Sequence, residues 1–312
     1  MMMTLLVLKN RIRHFYEKHY HIVRCIIKFL IMFFVSEVLT HTMEYNTFFQ
    51  PTALLVLVSV VAAVTPDMVS VLFLVVMACG EIVNVSVLLC MSFFILFLVY
   101  LLLIGRLDAR QYYVIVAIPV LAFLRISYAV PLIAACVCTP AMLPALLMGI
   151  FTQYLMMGIM DYGAATATGG SVQENVLSAL RYVIDYVIHN EMWLITMIAF
   201  TLTFLCVYFI RCAAVKYGMQ IAILVGAIVL MTVELLSNII WNLNLAIGYL
   251  FIQVLISTGL AYIVQFFSVN LDYRGTKKLQ FEDDEYFYYV TAVPKYKVAD
   301  AEHTVTTISS EE

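Results

Sequence analysis

Residues 219–240 read MQIAILVGAIVLMTVELLSNII, and this stretch decides the fold class. It contains one charged side chain, Glu234, and it is long enough to cross a bilayer, which takes about 20 apolar residues. The rest of the chain is similar, because 64% of its 312 residues are hydrophobic, 12% are charged and the mean hydropathy is +0.99. A soluble domain of this length has too little interior to bury that much apolar surface. The composition therefore excludes a soluble enzyme and a nucleic-acid-binding protein, and it predicts an all-α polytopic bundle in a lipid bilayer.

Six segments are predicted to be full transmembrane spans. Five of them run without a break, and the sixth begins beside Pro140 and Pro144. The six segments are 22–39, 85–104, 141–160, 193–210, 219–240 and 246–269.

Two further apolar stretches are interrupted. Residues 49–80 break at Thr65-Pro66-Asp67, and residues 112–138 break at Arg125-Ile126-Ser127. Each arm of the first stretch has about 14 residues, or roughly 21 Å of helix, which is short of a full span. Such pairs are typical of re-entrant hairpins in transporters. The alternative is two tight hairpins of short, thinly spanning helices, and either reading returns the chain to the side from which it entered.

The two broken stretches also share a short motif. Thr65-Pro66-Asp67-Met68 matches Thr139-Pro140-Ala141-Met142, and each broken pair is followed by a full span. The predicted topology gives these two units opposite orientations. An inverted repeat, which is common in transporters, is therefore one hypothesis, and a coincidence of three residues is the other.

The positive charges indicate the orientation. Lys and Arg concentrate in residues 1–21 and at predicted inner flanks such as Arg106, Arg110, Arg211 and Lys216, whereas Arg181 is the only one in a predicted outer loop. By the positive-inside rule, both termini are cytoplasmic. The sequence thus divides into a basic amphipathic N-terminus (1–21), a transmembrane domain (22–269) and a small cytoplasmic acidic and aromatic tail (270–312).

Glu234 is the leading candidate for an ion-binding or proton-carrying residue. It lies near the middle of 219–240, and Asn238 follows one helical turn later on the same face. Ionisable groups at membrane depth are costly and are usually functional. The alternative is a protonated carboxyl that only hydrogen-bonds between packed helices.

Asp67 and Arg125 are candidates because they lie at the two breaks. If both pairs re-enter, the two charges approach the midplane from opposite faces and can neutralise each other. The alternative places each residue at an interfacial turn, with Asp67 as a helix N-cap.

The sequence predicts no metal site and no cofactor. It contains no H-E-x-x-H, G-x-S-x-G or Walker motif, so we expect no enzymatic activity. Three of the six histidines cluster in the basic N-terminus, which is typical of a membrane-surface segment.

The tail carries an acidic run followed by residues with strand propensity. Such a strand must pair with another chain, with a second strand or with the membrane domain. The candidate residues for binding a cytoplasmic protein are Glu282, Asp283, Asp284, Glu285, Tyr286 and Tyr288.

Two stretches carry a resemblance to a known family. QFEDDEYFYYVTAVPKYKV (280–298) and LRISYAVPLIAACVCTP (124–140) resemble a family of uncharacterised multi-pass membrane proteins of Gram-positive bacteria. The resemblance implies a bacterial plasma membrane, but the family has no assigned activity. The broken pairs, the possible inverted repeat and Glu234 instead predict a permease for an ion or small molecule. The acidic and aromatic tail supports the alternative, a membrane scaffold that recruits a cytoplasmic partner through its tail.

Overall fold

The structure is a computed structural model that describes residues 9, 11–12, 15–103, 111–167, 176–213, 215–241, 246–268, 277–282 and 286–292. The chain forms two units. One unit comprises residues 24–265, and the other comprises residues 1–23 together with 266–312.

An all-α bundle accounts for most of the described chain, which confirms the predicted fold class. Short 3-10 turns at Thr47–Phe49 and Pro140–Met142 precede two of the helices. The helices are α1 (Tyr20–Met43), α2 (Thr52–Val64), α3 (Asp67–Ile82), α4 (Val87–Leu103), α5 (Gln111–Phe123), α6 (Ala129–Val137), α7 (Leu143–Ala167), α8 (Val176–Ile188), α9 (Glu191–Cys212), α10 (Gly218–Trp241) and α11 (Ile247–Ser268).

Four helices in the described part of the chain are long and apolar enough to cross a membrane, which is compatible with a membrane protein. They are Pro140–Thr166, Glu191–Cys212, Gly218–Trp241 and Ile247–Ser268. The two other predicted spans are not among them: α4 has 17 residues, and the 24-residue α1 contains Arg24, Lys28 and Glu37. By length and composition the structure therefore supports four spans where the sequence predicts six.

Both predicted breaks are present. The first separates α2 from α3 at Thr65 and Pro66, and the second separates α5 from α6 at residues 124–128. At 1.5 Å per residue, α2 and α5 are each about 20 Å long. Pro66 disfavours a continuous helix at the first break because it lacks a backbone donor and restricts the residue before it. The second break contains no proline, and the nearest one, Pro131, is the third residue of α6.

Contacts at its two ends fix the direction of the first broken pair. Asp67, at the start of α3, meets Lys28 of α1, whereas Glu81, near the end of α3, meets Tyr45 just beyond α1. Helices α1 and α3 are therefore parallel, and α2 runs antiparallel to both. Below, the Asp67 end and the Glu81 end name the two ends of the bundle formed by residues 24–265.

The second pair starts at the Asp67 end. Gln111, the first residue of α5, donates to the carbonyl of Ala141 at 2.8 Å, and the Tyr113 hydroxyl donates to Asp67 at 2.8 Å. Helix α5 therefore runs away from the Asp67 end, and α6 runs back to it. In the first pair the order is reversed: α2 runs towards the Asp67 end, and α3 runs away from it. The two pairs thus have opposite orientations.

The shared motif does not follow that inversion. Thr65-Pro66 precedes α3 and Thr139-Pro140 precedes α7, and both helices run away from the Asp67 end. The matched residues are therefore helix-start signals in parallel helices, for which proline is suited because the first helical N–H groups need no partner within the helix. The match gives no support to an inverted repeat.

The predicted outer loop that contains Arg181, between the predicted spans 141–160 and 193–210, is partly helical. Helix α7 continues through Asp161 to Ala167, and α8 occupies 176–188. Helix α8 buries Ala179, Val183 and Val187, which recur every four residues, and packs on α4 and α7. This periodicity is the signal in the sequence that was missed.

The described tail residues form an antiparallel hairpin. Strand β1 (Lys277–Glu282) pairs with β2 (Phe287–Ala292), from Lys277 opposite Ala292 to Glu282 opposite Phe287. Of the three partners predicted for β2, a second strand of the same tail is the one observed.

Candidate functional site

Glu234 lies on the buried face of α10. Its side chain is 1% exposed, on the same face as Ala227 and Leu230. The helix ends at Trp241, seven residues later, so Glu234 is about 10 Å from that end and about 24 Å from Gly218. The carboxyl is therefore as buried as predicted, but it lies in the third of the helix nearest the Glu81 end and not at its middle.

Gly226 explains how α10 comes so close to its neighbours. A Cβ at this position would overlap the side chains of Val207 in α9 and Leu132 in α6. The absence of a side chain lets the three helices pack closely. Glu234 lies about two turns further along the same face, and it is thereby brought next to the second break.

Tyr128, the residue just before α6, faces Glu234. Its hydroxyl interacts electrostatically with the Glu234 carboxyl, and its ring packs edge-on against Phe200 with centroids 6.0 Å apart. A helix break and a buried carboxyl thus occupy the same part of the bundle.

A second pair of hydroxyls lies beside the carboxyl. Tyr154 of α7 interacts electrostatically with both Glu234 and Tyr128, and its hydroxyl is 2.9 Å from that of Thr196 in α9. Thr196 donates its only hydroxyl proton to the carbonyl of Met192 at 2.7 Å, so Tyr154 is the donor to Thr196. We call Glu234, Tyr128, Tyr154 and Thr196 the Glu234 cluster.

Arg125 has a structural role at the second break. Its φ is 62°, and the N–H groups of Arg125 and Ile126 bond to the carbonyls of Ala122 and Leu121 at 2.9 and 2.7 Å. This pattern is a Schellman motif, with Arg125 at the position that glycine usually occupies. Its guanidinium lies 5.6 Å from the Tyr249 ring centroid, and its carbonyl accepts from Gln253 at 2.8 Å.

Asp67 has different partners from the predicted one. Its carboxylate pairs with Lys28 at 2.9 Å and with Arg24 at 3.1 Å, and the third contact is the Tyr113 hydroxyl. Asp67 is also the first residue of α3, where Pro66 holds the N-cap position, so the predicted N-cap is wrong by one residue. The proposed neutralisation of Asp67 by Arg125 is therefore replaced by ion pairs with α1.

Lys28 connects both sides of the first break to α1. Its ammonium is 5% exposed, donates to the carbonyl of Thr65 at the end of α2, and pairs with Asp67 at the start of α3. A cation at a helix C-terminus and an anion at an N-terminus are both favoured by the helix dipoles. Lys28 lies eight residues into α1, so the break is about 12 Å from the start of that helix.

Asn238 is half-buried and lies one turn after Glu234, as the sequence predicts.

Of the predicted tail residues, Glu282, Tyr286 and Tyr288 are exposed, and the ring centroids of the two tyrosines are 6.4 Å apart. Asp283, Asp284 and Glu285 lie outside the described residues.

Glu81, near the end of α3, is fully buried. Its Oε2 accepts from the backbone N–H groups of Tyr45 and Asn46 at 3.0 and 2.8 Å, and Oε1 has no hydrogen-bond partner in the described part of the chain. Burial raises the pKa of Tyr45 above its usual value.

A 2.6 Å hydrogen bond from the Tyr182 hydroxyl to the Asp161 carboxylate raises the pKa of Tyr182, because it stabilises the protonated phenol.

Within the described ranges, no group of three or more His, Cys, Asp or Glu residues is arranged to hold a metal ion. Comparisons with protein-family models, with curated proteins and with solved structures found no match.

Proposed function

We propose that this chain is an integral membrane permease for an ion or small molecule, in which Glu234 binds a proton or a cation. The observation that carries this proposal is a carboxyl with 1% exposure, inside a long apolar helix and directly beside a broken helix. Ionisable groups at membrane depth usually mark ion pathways, and non-helical backbone there is tolerated only when protein or a water-filled cavity covers it.

The hydroxyls of the Glu234 cluster support a carboxyl that changes its protonation state. When Glu234 is ionised it accepts hydrogen bonds, and a neighbouring phenol such as Tyr128 can donate one. When Glu234 is protonated it donates, and the same phenol oxygen can accept. The cluster therefore satisfies both states, which a transport cycle that loads and releases a proton or cation requires.

The orientation is part of the proposal. Arg24 and Lys28 lie at the Asp67 end, and so does Arg211, which donates to the carbonyls of Ala135 and Cys138 where α6 returns to that end. The proposal places this end in the cytoplasm of a bacterium. It also places the chain in the plasma membrane as a member of the Gram-positive family that its sequence resembles, without a catalytic role.

We expect a cysteine at Lys216 to resist an impermeant thiol reagent applied to intact cells, and one at exposed His189 to react. The background must lack the seven native thiols. Equal labelling of both sites contradicts the orientation.

The test of the permease uses the full chain in liposomes that contain a pH-sensitive dye. We expect wild-type protein to dissipate an imposed proton, sodium or potassium gradient faster than protein-free liposomes, and Glu234→Gln to return the rate to the protein-free value. Gln keeps the shape and hydrogen-bonding capacity, so the fold remains intact. Glu37→Gln, in α1 and outside the cluster, is the matched control and keeps the wild-type rate. Equal rates for the two variants contradict the role of Glu234.

A second candidate function has its own support in the tail. The hairpin exposes Leu279, Tyr288 and Val290, and a two-stranded hairpin is only marginally stable by itself. A scaffold that docks a cytoplasmic partner through this hairpin loses its activity when residues 281–312 are deleted and tolerates Glu234→Gln. A permease shows the reverse, so a growth assay on both variants, with expression matched, separates the two functions.

A further inference from the structure

The oxygen atoms around Glu234 distinguish between a proton and a metal cation as the ion that it binds. Hard cations such as Ca²⁺ and Mg²⁺ take about six or more oxygen ligands, and Na⁺ sites at broken helices use unwound backbone carbonyls. A proton needs one carboxylate oxygen, and the resulting O–H group needs one hydrogen-bond acceptor. The number and the state of the oxygen atoms near Glu234 therefore decide which ion fits.

The second break, which lies next to the Glu234 cluster, uses its backbone carbonyls to close its own turn. Five carbonyls between residues 121 and 127 accept hydrogen bonds from backbone N–H groups or from the Gln253 side chain, at 2.7 to 3.2 Å. They belong to Leu121, Ala122, Arg125, Ile126 and Ser127. These oxygens already serve donors of the protein itself, so the broken helix does not present them as a ready set of Na⁺ ligands.

The side chains of the cluster provide few further ligands. Thr196 already donates to the carbonyl of Met192 and accepts from Tyr154. Beside the two carboxyl oxygens of Glu234, the cluster therefore offers the phenol oxygens of Tyr128 and Tyr154. In the described part of the chain this set is smaller than the one that a dehydrated metal cation requires.

One more buried hydroxyl lies on the same side of α10, but it is distant from the carboxyl. The Thr203 hydroxyl has no hydrogen-bond partner among the described residues, and its side chain lies against Gly226. Gly226 is eight residues before Glu234, or about 12 Å along the helix. Thr203 therefore does not complete a cation site at Glu234.

The hydrogen bonds of the cluster point away from Glu234. Because Tyr154 gives its only hydroxyl proton to Thr196, its oxygen can act towards Glu234 only as an acceptor. A protonated carboxyl donates a hydrogen bond, whereas a carboxylate only accepts. The direction of this chain thus matches the protonated form of Glu234.

The charges around Glu234 also favour the protonated form. None of the ion pairs found within the described ranges includes Glu234, and the stretches after α7 (168–175) and α10 (242–245), which lie outside them, contain no Lys, Arg or His. The exposed Arg125 guanidinium lies over the Tyr249 ring. An unpaired carboxylate with 1% exposure is strongly disfavoured. The titratable groups that interact with the cluster from neighbouring helices are the phenols of Tyr186 and Tyr249, in addition to its own Tyr128 and Tyr154.

We propose that the ion bound by Glu234 is a proton, held as the O–H group of a carboxylic acid, and not a metal cation. On loading, one carboxylate oxygen takes a proton from hydronium and leaves water, and the negative charge of the side chain disappears. On release, the O–H bond breaks, the proton returns to water and the carboxylate forms again. No other covalent bond forms or breaks.

This inference rests on the proposed function, for which it names the ion, but the two can fail separately. Glu234-dependent Na⁺ or K⁺ flux, together with metal binding at the carboxyl, contradicts the proton and leaves the permease in place. A carboxyl that titrates as expected in a protein with equal flux in wild type and Glu234→Gln contradicts the permease and leaves the proton site in place.

The experiment is an infrared titration of the full chain in liposomes. A carboxylic acid and a carboxylate absorb at different frequencies, so the acid band that is present in wild type and missing from Glu234→Gln reports Glu234 alone. We expect this band at low pH, and we expect the protonated fraction to fall about tenfold for each pH unit above its midpoint. At a fixed pH, replacing choline chloride with sodium chloride or potassium chloride of equal ionic strength should leave the band unchanged.

Glu37→Gln is the matched control, because it removes a carboxyl of α1 outside the cluster and should retain the Glu234 band. Melting temperatures check that both variants are folded. Three results overturn the proposal. They are the lack of any acid band that depends on Glu234, a band that persists at every pH at which the chain is folded, and a band that Na⁺ or K⁺ depletes at fixed pH, since depletion shows a metal cation competing with the proton.

Discussion

The two helix breaks differ in what holds them. The first, at Thr65 and Pro66, is stabilised by a charged side chain of another helix. Lys28 of α1 contacts Thr65 on one side of the break and Asp67 on the other. The second, at residues 124–128, is closed mainly by its own backbone, through a Schellman motif with Arg125 at positive φ. The charge of Asp67 is thus neutralised inside the bundle, whereas the charge of Arg125 lies at its exposed surface beside Tyr249.

This difference separates a structural break from a candidate functional one. At the first break every polar group described has a stabilising partner, so the charges account for the local fold. At the second break the backbone needs no help from Glu234, yet the buried carboxyl lies beside Tyr128. A costly group that the local fold does not require is the better candidate for function.

The largest effect is expected from removing the charge at the first break. Lys28→Met leaves the Asp67 carboxylate, 11% exposed, without its buried partner and leaves the Thr65 carbonyl without a donor. Breaking a buried pair costs about 3 kcal/mol of unfolding free energy. Thermal or denaturant unfolding in detergent measures the loss, and Asp67→Asn in the same chain should recover part of it. Arg24→Gln, at a half-exposed partner, is the control, and equal destabilisation of the two single variants would contradict the assignment to Lys28.

A smaller effect is expected from separating the helices at the second break. Gly226→Val places methyl groups against Val207 and Leu132, and overpacking of this kind costs about 2 kcal/mol. Gly259→Val is the matched control, because a Cβ at Gly259 meets nothing within 4 Å. The same unfolding assay compares them. If the two variants lose equal stability, close packing at Gly226 is not what holds α10 in place.

The smallest effect concerns the backbone of Arg125. Arg125→Gly removes the steric penalty of positive φ, whereas Arg125→Ala keeps it, and both lose the contact with Tyr249. Glycine should therefore be more stable than alanine by about 1 kcal/mol. A difference near zero would mean that the turn is held by its surroundings and not by its own geometry, which would erase the contrast with the first break.

Local signals in the sequence were enough to place both breaks. Thr65-Pro66-Asp67 and Arg125-Ile126-Ser127 divide two apolar runs into arms that are each too short to span a bilayer. In the structure the helices end at these positions. The partner of Asp67 could not be found in this way, because Lys28 is 39 residues distant and only the parallel packing of α1 and α3 brings it close. The sequence does not identify Tyr128, because a tyrosine in an apolar run is usually interpreted as a packing residue. Only the position of α10 in the fold brings Glu234 next to it.

The short α2 has a mechanical consequence for the surrounding lipid. It is 13 residues long, about 20 Å, and its outward residues Leu57, Val60 and Val64 are 65%, 50% and 79% exposed. Helix α10 has 24 residues, about 36 Å. A bilayer with a hydrocarbon core of about 30 Å fits α10 with a modest tilt, but where α2 spans the bilayer the core must thin by about 10 Å. Each ångström of mismatch costs a fraction of a kcal/mol, so this face of the molecule favours thin or easily deformed membrane and makes the protein sensitive to acyl-chain length.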